Sequence, residues 1–212
     1  MSLGKKIYFS PLGYIISLVQ RVLSIFSHPI MVYGYYNKVQ KKYKRATRIS
    51  SSAVITEKEK FDVGDNVWVN HYARIDASGG VKIGDGCQIG YSCMILSHSS
   101  HMAIRLNGEK YIHMDVDKRK GYIHKEVYIG EYTFIGGHAC IMPGIKIGKG
   151  CVVGVGSVVT KDIPDYSIVV GAPAKIIGST IDTDKPYFDD EFVKENYYNQ
   201  ELLKMFSYET SV

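Results

Sequence analysis

The sequence predicts an all-β solenoid of short parallel strands, with helical segments before and after it. An apolar residue returns at every sixth position over long stretches of the chain, and glycine usually follows it. This period matches neither the roughly 3.6 residues of a helical turn nor the alternation of a half-buried strand. It fits flat strands joined by tight turns, in which each coil covers the sheet edge of the previous one.

Two helices are predicted in an N-terminal segment, residues 1–50. Apolar residues of the first share one helical face: Ile15, Leu18, Val19, Val22, Leu23 and Phe26. The His28-Pro29 step should end this helix. The second has Val32, Tyr35, Tyr36, Val39 and Tyr43 on one face and lysines or arginines elsewhere. We expect both to brace the solenoid; peripheral association with a membrane surface is the alternative.

The solenoid is expected over residues 51–178. Its apolar positions are Val63, Val69, Ile75, Ile83, Ile89 and Ile95, then Ile129, Ile135, Ile141, Ile147, Val153 and Val159. Small side chains four residues later should fit beside the corners: Ala73, Cys87, Cys93, Thr133, Ala139, Cys151 and Ser157. The cysteines among them are expected to fill the core and not to bind metal. The tail, residues 179–212, should contain a helix from Asp189 to Phe206.

The hexads stop between Ile95 and Val127, where a polar loop, residues 97–126, is inserted. Insertions of this kind usually lie on one face of a solenoid, often the binding face. The formal charge of +5 suits an anionic small molecule or a membrane surface and is too small to indicate a nucleic-acid partner.

The hexads, over about residues 54–178, resemble the hexapeptide-repeat acyltransferases. The resemblance implies that the parallel β-helix is left-handed. The run Ser97-His98-Ser99-Ser100-His101, followed by Arg105 and Asn107-Gly108, is similar to the sugar acetyltransferases of the galactoside and maltose type. It implies that His98 is the general base that deprotonates the acceptor hydroxyl. Imidazole suits this role because it titrates nearest neutral pH.

The same resemblance implies that the acceptor site contains Asn70, Asp76, His101 and Arg105. Asn70 and Asp76 match residues that contact the acceptor or orient the site. The run from Val153 to Pro164 and the later Gly171-Ala172-Pro173-Ala174-Lys175 are similar to the terminal coil of CoA-using members. The implied acetyl-CoA residues are Gly136, Gly137, Gly154, Val155, Gly156, Thr160, Lys161 and Lys175. Glycines would leave room for the pantetheine arm, and the lysines would meet the phosphates.

We therefore expect an acetyl-CoA-dependent O-acetyltransferase of a sugar hydroxyl, working in capsular, exopolysaccharide or lipopolysaccharide biosynthesis. A cytoplasmic homotrimer is expected, either free or at the inner face of the membrane, with no transmembrane helix, signal peptide or metal. The alternatives are an N-acetyltransferase of a nucleotide-linked amino sugar and a xenobiotic acetyltransferase. A zinc enzyme similar to γ-carbonic anhydrases and a non-catalytic scaffold are alternatives of other classes; the histidine spacing disfavours the zinc enzyme.

Overall fold

The computed structural model describes residues 7, 10–25 and 27–209, which fall into two units, Met1–Ile30 and Met31–Val212. The first unit contains helix α1 (Pro11–Ile25), which confirms the first predicted helix; Phe26, assigned to its apolar face, lies outside the described residues. Over the described part of the chain, no helix is both long and apolar enough to span a bilayer.

The second predicted helix is wrong, because its residues form a β-hairpin. Strands β1 (Met31–Asn37) and β2 (Lys42–Ser50) pair antiparallel, with Tyr36 opposite Tyr43. The aromatic and β-branched residues that share a helical face also suit a strand. Gly34 adopts a φ of 82°, which favours glycine, and a side chain at this position would also displace the Tyr43 hydroxyl. The end of β2 pairs in parallel with Trp68 and Val69, so the hairpin extends a sheet of the coil.

The second unit continues with seventeen short strands. They are β3 (Val54–Thr56), β4 (Phe61–Val63), β5 (Trp68–Val69), β6 (Arg74–Asp76), β7 (Val81–Ile83), β8 (Gln88–Ile89), β9 (Met94–Leu96), β10 (His98–Ser99), β11 (Ile123–His124), β12 (Val127–Ile129), β13 (Phe134–Ile135), β14 (Cys140–Ile141), β15 (Lys146–Ile147), β16 (Val152–Val153), β17 (Val158–Val159), β18 (Ser167–Val170) and β19 (Lys175–Ser179). A 3-10 turn, Lys58–Lys60, precedes β4.

Most of these strands form three sheets around one core. The first sheet has the order β1-β2-β5-β8-β13-β16-β18-β19, the second β3-β6-β9-β14-β17 and the third β4-β7-β12-β15. Pairing within them is parallel, except in the pairs β1-β2 and β18-β19. From β4 to β9, and again from β12 to β17, the chain visits the third, first and second sheets in that repeating order. The chain therefore coils, and each coil pairs with the next.

The interior confirms the six-residue period. All twelve of its apolar positions are at most 2% exposed, and equivalent residues stack in register, as Ile75, Ile95 and Ile141 do in the second sheet. The predicted small residues are buried beside them. The Cys87 thiol donates to the Gly130 carbonyl at 3.0 Å, and burial raises its pKa to about 12. Such a thiol fills the core and is a poor ligand or nucleophile.

The insertion is closed by an antiparallel pair in which β10 meets β11. Between these strands lie helix α2 (Ala103–Asn107) and the 3-10 turns Gly108–His113 and Val116–Lys118. The insertion therefore has its own short framework and returns to the coil at the point where it left.

The tail contains α3 (Thr180–Asp184), a 3-10 turn (Lys185–Tyr187), α4 (Glu191–Asn196) and α5 (Gln200–Glu209). The single helix expected from Asp189 to Phe206 is therefore wrong. It breaks at Tyr197, where ψ is 130°. Tyr198 stacks on Tyr132 with ring centroids 4.4 Å apart, and Asn199 accepts a hydrogen bond from the Leu202 amide at 3.0 Å. Packing on the coil and a new N-terminal cap thus outweigh continuation of the helix.

Candidate active site

The second sheet has a row of stacked turns along each of its two edges. The glycine edge, where the chain arrives from the first sheet, consists of residues 70–73, 90–93, 136–139 and 154–157. The histidine edge, where the chain leaves for the third sheet, consists of residues 77–80, 97–126, 142–145 and 160–162. The strands of the second sheet separate the two edges. Every predicted site residue except Lys175 lies on one of these edges or in the strand that leads to it.

His98 and Asp76 come together at the histidine edge. Asp76 ends β6, and His98 begins β10 one coil later. The Nδ1 atom of His98 is hydrogen-bonded to Oδ2 of Asp76 and lies 3.0 Å from the Ser78 hydroxyl. Ser97 is fully buried beside them, where its hydroxyl donates to the Asp76 carbonyl and accepts from the Gly79 amide, both at 2.7 Å. The turn that presents His98 is thus fixed to the coil below it.

The contacts around the Asp76 carboxyl group favour its ionised form. Burial alone would raise its pKa, but hydrogen bonds from the Ser78 amide and hydroxyl, and the contact with His98, more than offset that effect and lower the pKa. Thr56 adds a hydroxyl 3.2 Å from Oδ1. A carboxylate at Nδ1 favours the tautomer with the proton on that nitrogen, which leaves the Nε2 lone pair of His98 as the base. No described residue is hydrogen-bonded to Nε2, and the side chain is 40% exposed.

Tyr122 forms one wall beside the imidazole. Its ring is parallel to that of His98, with 5.8 Å between centroids and 9° between planes. Burial raises the pKa of Tyr122, so its phenol stays protonated at neutral pH. Sequence reasoning missed this residue because the insertion has no period to place it. The register of β10 with β11 pairs His98 with His124. This pairing brings Tyr122, two residues before His124, close to His98.

The other predicted acceptor residues, all of them described, form no hydrogen bond with His98. Asn70 lies on the glycine edge, at the far end of the turn and strand that lead to Asp76. Arg105 donates to the backbone carbonyl of His101 at 2.5 Å, and the His101 ring is 2.7 Å from the Ser99 hydroxyl. His101 and Arg105 thus lie in an exposed part of the insertion that Ser99 connects to the histidine edge.

The predicted acetyl-CoA residues are divided between the edges. Five lie on the glycine edge: Gly136, Gly137, Gly154, Val155 and Gly156. Thr160 and Lys161 follow β17 on the histidine edge, and Lys175 begins β19. Val155 is 76% exposed, and the space beside Gly156 is open. Thr160, Lys161 and Lys175 are exposed as well.

Gly136 is also needed for the packing of successive coils. Its amide donates to the Val153 carbonyl at 2.7 Å, so this group is not free to meet a ligand. A Cβ on Gly136 would lie 2.6 Å from the Val155 nitrogen, which means that the absent side chain lets two coils stack closely. The amide of Gly154 likewise donates a hydrogen bond, to the Val169 carbonyl at 2.8 Å. Both glycines therefore allow the backbones of successive coils to approach closely.

The histidines of the insertion do not form part of a metal-binding cluster. Within the described ranges, no group of three or more His, Cys, Asp or Glu side chains is placed to hold a metal ion. The Nδ1 atom of His98 is already taken by Asp76 and Ser78.

Comparison with known proteins finds similarity over the coil. Residues 126–161 match the bacterial transferase hexapeptide family (six repeats). The galactoside O-acetyltransferase of Escherichia coli strain K12 is 32% identical over 136 residues, which are 63% of this chain and 61% of the relative. The matched segments cover 30% to 61% of the lengths of the curated relatives.

Two solved structures resemble the coil. A galactoside acetyltransferase in complex with coenzyme A is 30% identical with a TM-score of 0.53, and the match covers 63% of this chain and 62% of that one. A hexapeptide-repeat acetyltransferase from Vibrio cholerae O1 biovar eltor, complexed with acetyl coenzyme A, is 27% identical with a TM-score of 0.52; the match covers 60% and 64%. The coil therefore carries bacterial transferase hexapeptide repeats, and over about three fifths of its length the chain is similar to hexapeptide-repeat acetyltransferases.

Proposed function

We propose that the protein transfers an acetyl group from acetyl-CoA to a carbohydrate hydroxyl, with His98 as general base. One observation carries the proposal: an ionised Asp76 holds Nδ1 of His98 and leaves Nε2 exposed at the edge of a hexapeptide coil. The similarity to galactoside O-acetyltransferases supports the acetyl donor and the class of acceptor.

The reaction needs no covalent enzyme intermediate. Nε2 takes the proton of the acceptor hydroxyl while that oxygen attacks the thioester carbonyl. The carbon–sulfur bond then breaks, and the imidazolium returns the proton to the CoA sulfur. The Asp76 carboxylate stabilises the imidazolium between these two steps, because opposite charges attract strongly at a site partly shielded from water.

We further propose a homotrimer in which the active sites lie between subunits. Five of the residues assigned to acetyl-CoA lie on the glycine edge, across the sheet from His98, so one chain alone does not bring these five to the base, although Thr160 and Lys161 lie on the histidine edge. If the glycine edge of a second copy faced the histidine edge of the first, a groove would run from Val155 of one copy to His98 of the other. Cyclic symmetry would then supply three equivalent sites. The proposed left-handed winding of the coils follows the family resemblance.

The acceptor class follows from the insertion. It covers His98 on one side with Tyr122 and adds a helix and two 3-10 turns between β10 and β11. We therefore propose that precursors of capsular, exopolysaccharide or lipopolysaccharide chains are preferred over free sugars as acceptors.

Helix α1 supports a location at the inner face of the membrane. It has no acidic residue in its first turn, and it exposes the apolar side chains Leu12, Ile15, Ile16, Val19 and Leu23. At about 1.5 Å per residue its 15 residues are too short to cross a bilayer but can lie in the interface. The four free cysteines fit the reducing cytoplasm.

Co-sedimentation with anionic lipid vesicles tests this location. Changing Ile15 and Val19 together to Ser should abolish binding, because both side chains lie on the exposed apolar face of α1. Changing Ile176 and Ile177 together to Ser is the matched control, since these residues are equally exposed but lie on β19. Binding that survives the change in α1, or that is lost only in the control, would contradict the proposed location.

An acceptor screen tests the function. Acetyl-CoA is incubated with free sugars, nucleotide sugars and lipid-linked oligosaccharides, the release of thiol is followed, and the product is identified by mass spectrometry. The proposal expects an ester on a sugar hydroxyl. Modification confined to amines would show an N-acetyltransferase, and thiol release no faster than hydrolysis with every acceptor would contradict the proposal.

A further inference from the structure

The insertion holds an arginine that the proposed reaction does not use. Arg119, a half-buried residue, follows the 3-10 turn Val116–Lys118, and its guanidinium lies 4.2 Å from the ring centroid of Tyr111. Its Nε atom donates to the Met114 carbonyl at 3.1 Å. The side chain is therefore fixed by one aromatic face and one carbonyl, which reduces the entropy lost when a ligand binds.

The charge of Arg119 is unmatched. It forms no ion pair with any carboxylate among the described residues, whereas the adjacent Lys118 is paired with Asp115 at 2.8 Å. No described residue accepts a hydrogen bond from its two terminal nitrogens. These atoms form a planar fork that matches a carboxylate or a phosphate. The insertion carries six Lys and Arg against four Asp and Glu, so its local field also favours an anion.

Arg119 and the base, His98, both lie close to the ring of Tyr122. Its guanidinium lies 5.9 Å from the centroid of Tyr122, which stacks on His98. The connection is fixed by the backbone, because the amide of Tyr122 donates to the Arg119 carbonyl at 3.3 Å. Gly121 lies within this turn with a φ of 74°, against Leu106 and Met102. The base and the cation therefore each lie within 6 Å of the centroid of the Tyr122 ring.

We propose that Arg119 makes the acceptor site selective for an anionic carbohydrate, one that carries a carboxylate or a phosphate beside the hydroxyl to be acetylated. The proposal rests on the proposed function and specifies its substrate class. The sugar ring lies along Tyr122, its hydroxyl at Nε2 of His98 and its anionic group on the Arg119 fork. Carboxylate and phosphate offer the same chemistry to the fork, so the choice between them is left to the experiment.

The test compares acceptors that share one hexose ring and differ by a single anionic group at C6 or C1. Galactose, galacturonic acid and galactose 1-phosphate, and the corresponding glucose series, are assayed with acetyl-CoA by thiol release. We expect kcat/KM for at least one anionic member of a series to exceed that for its neutral parent by about 10- to 150-fold, the usual worth of a hydrogen bond to a charged group. The preferred member then identifies the anion as carboxylate or phosphate.

Two variants tie the preference to Arg119. Arg119→Gln should remove it by raising KM for the anionic acceptor, with little change for the neutral parent or for acetyl-CoA; Arg119→Lys should restore only part of it, because the fork is lost. Lys118→Gln is the matched control and should leave the preference unchanged. Unchanged activity on the neutral parent also shows that the insertion is still folded.

The outcomes separate this inference from the proposed function. If neutral sugars are acetylated as well as anionic ones, or if Arg119→Gln lowers both equally, the selectivity is overturned while the acetyltransferase stands. If no carbohydrate of the broader screen is acetylated, the proposed function fails and the inference fails with it.

Discussion

Oδ2 of Asp76 and Nδ1 of His98 are hydrogen-bonded across two successive coils, although 22 residues separate them in the chain. The pair exists because β6 and β9 are in register, with Asp76 beside Leu96, so that the turn after β9 lies directly over the turn after β6. A base and its orienting carboxylate thus arise from coil stacking alone.

Asp76 acts through His98, so Asp76→Asn should lower kcat without changing KM for acetyl-CoA. We expect a loss of about 10- to 1,000-fold, smaller than the loss of about two to four orders of magnitude expected when the base itself is removed. Ser78→Ala is the control: it removes one hydrogen bond from the carboxylate but leaves the pair, and should cost less. A proportional rise in KM for acetyl-CoA in Asp76→Asn would indicate a disturbed coil and not a positioning role.

The same carboxylate should make stability depend on pH. Because hydrogen bonds lower the pKa of Asp76 in the folded state, its stabilising effect is full above the unfolded value near 3.9 and is lost as the pH falls through the lower folded value. The difference in unfolding free energy between the protein and Asp76→Asn, measured with urea, should therefore shrink below about pH 4. A difference that grew on acidification would contradict the sign.

Lys161 and Lys175 are proposed to meet the phosphates of CoA. Changing both to Glu should raise KM for acetyl-CoA more than KM for the acceptor, and high salt should have the same effect on the unaltered protein. Lys194→Glu, an exposed change on α4, is the matched control. Equal effects on both substrates would argue against phosphate contact.

The shared site can be tested by mixing two inactive chains. His98→Ala removes the base, and Val155→Trp fills the glycine edge at a position that is 76% exposed. In a cyclic trimer refolded from equal amounts of both, about a quarter of the sites should pair an intact base with an intact edge. Activity no higher than that of the two variants alone would confine the site to one chain.

The sequence predicted the coil well because few other folds bury an apolar residue at every sixth position. The hairpin at Tyr36 and Tyr43 was missed because aromatic residues spaced for a helical face also suit paired strands, and pairing with Trp68 and Val69 decides between them. His98 was expected from resemblance, and its contact with Asp76 agrees with an orienting role. Tyr122 and Arg119 lie in an insertion without a period, so only the fold places them.

The most direct measurement is the turnover of His98→Ala on an acceptor that the unaltered protein acetylates. General base catalysis by His98 predicts a loss of about two to four orders of magnitude in kcat. Acetyl-CoA affinity, measured by calorimetry on the same preparation, should be nearly unchanged, because the side chain meets the acceptor and not the nucleotide. Turnover close to that of the unaltered protein would contradict the central claim that His98 removes the acceptor proton.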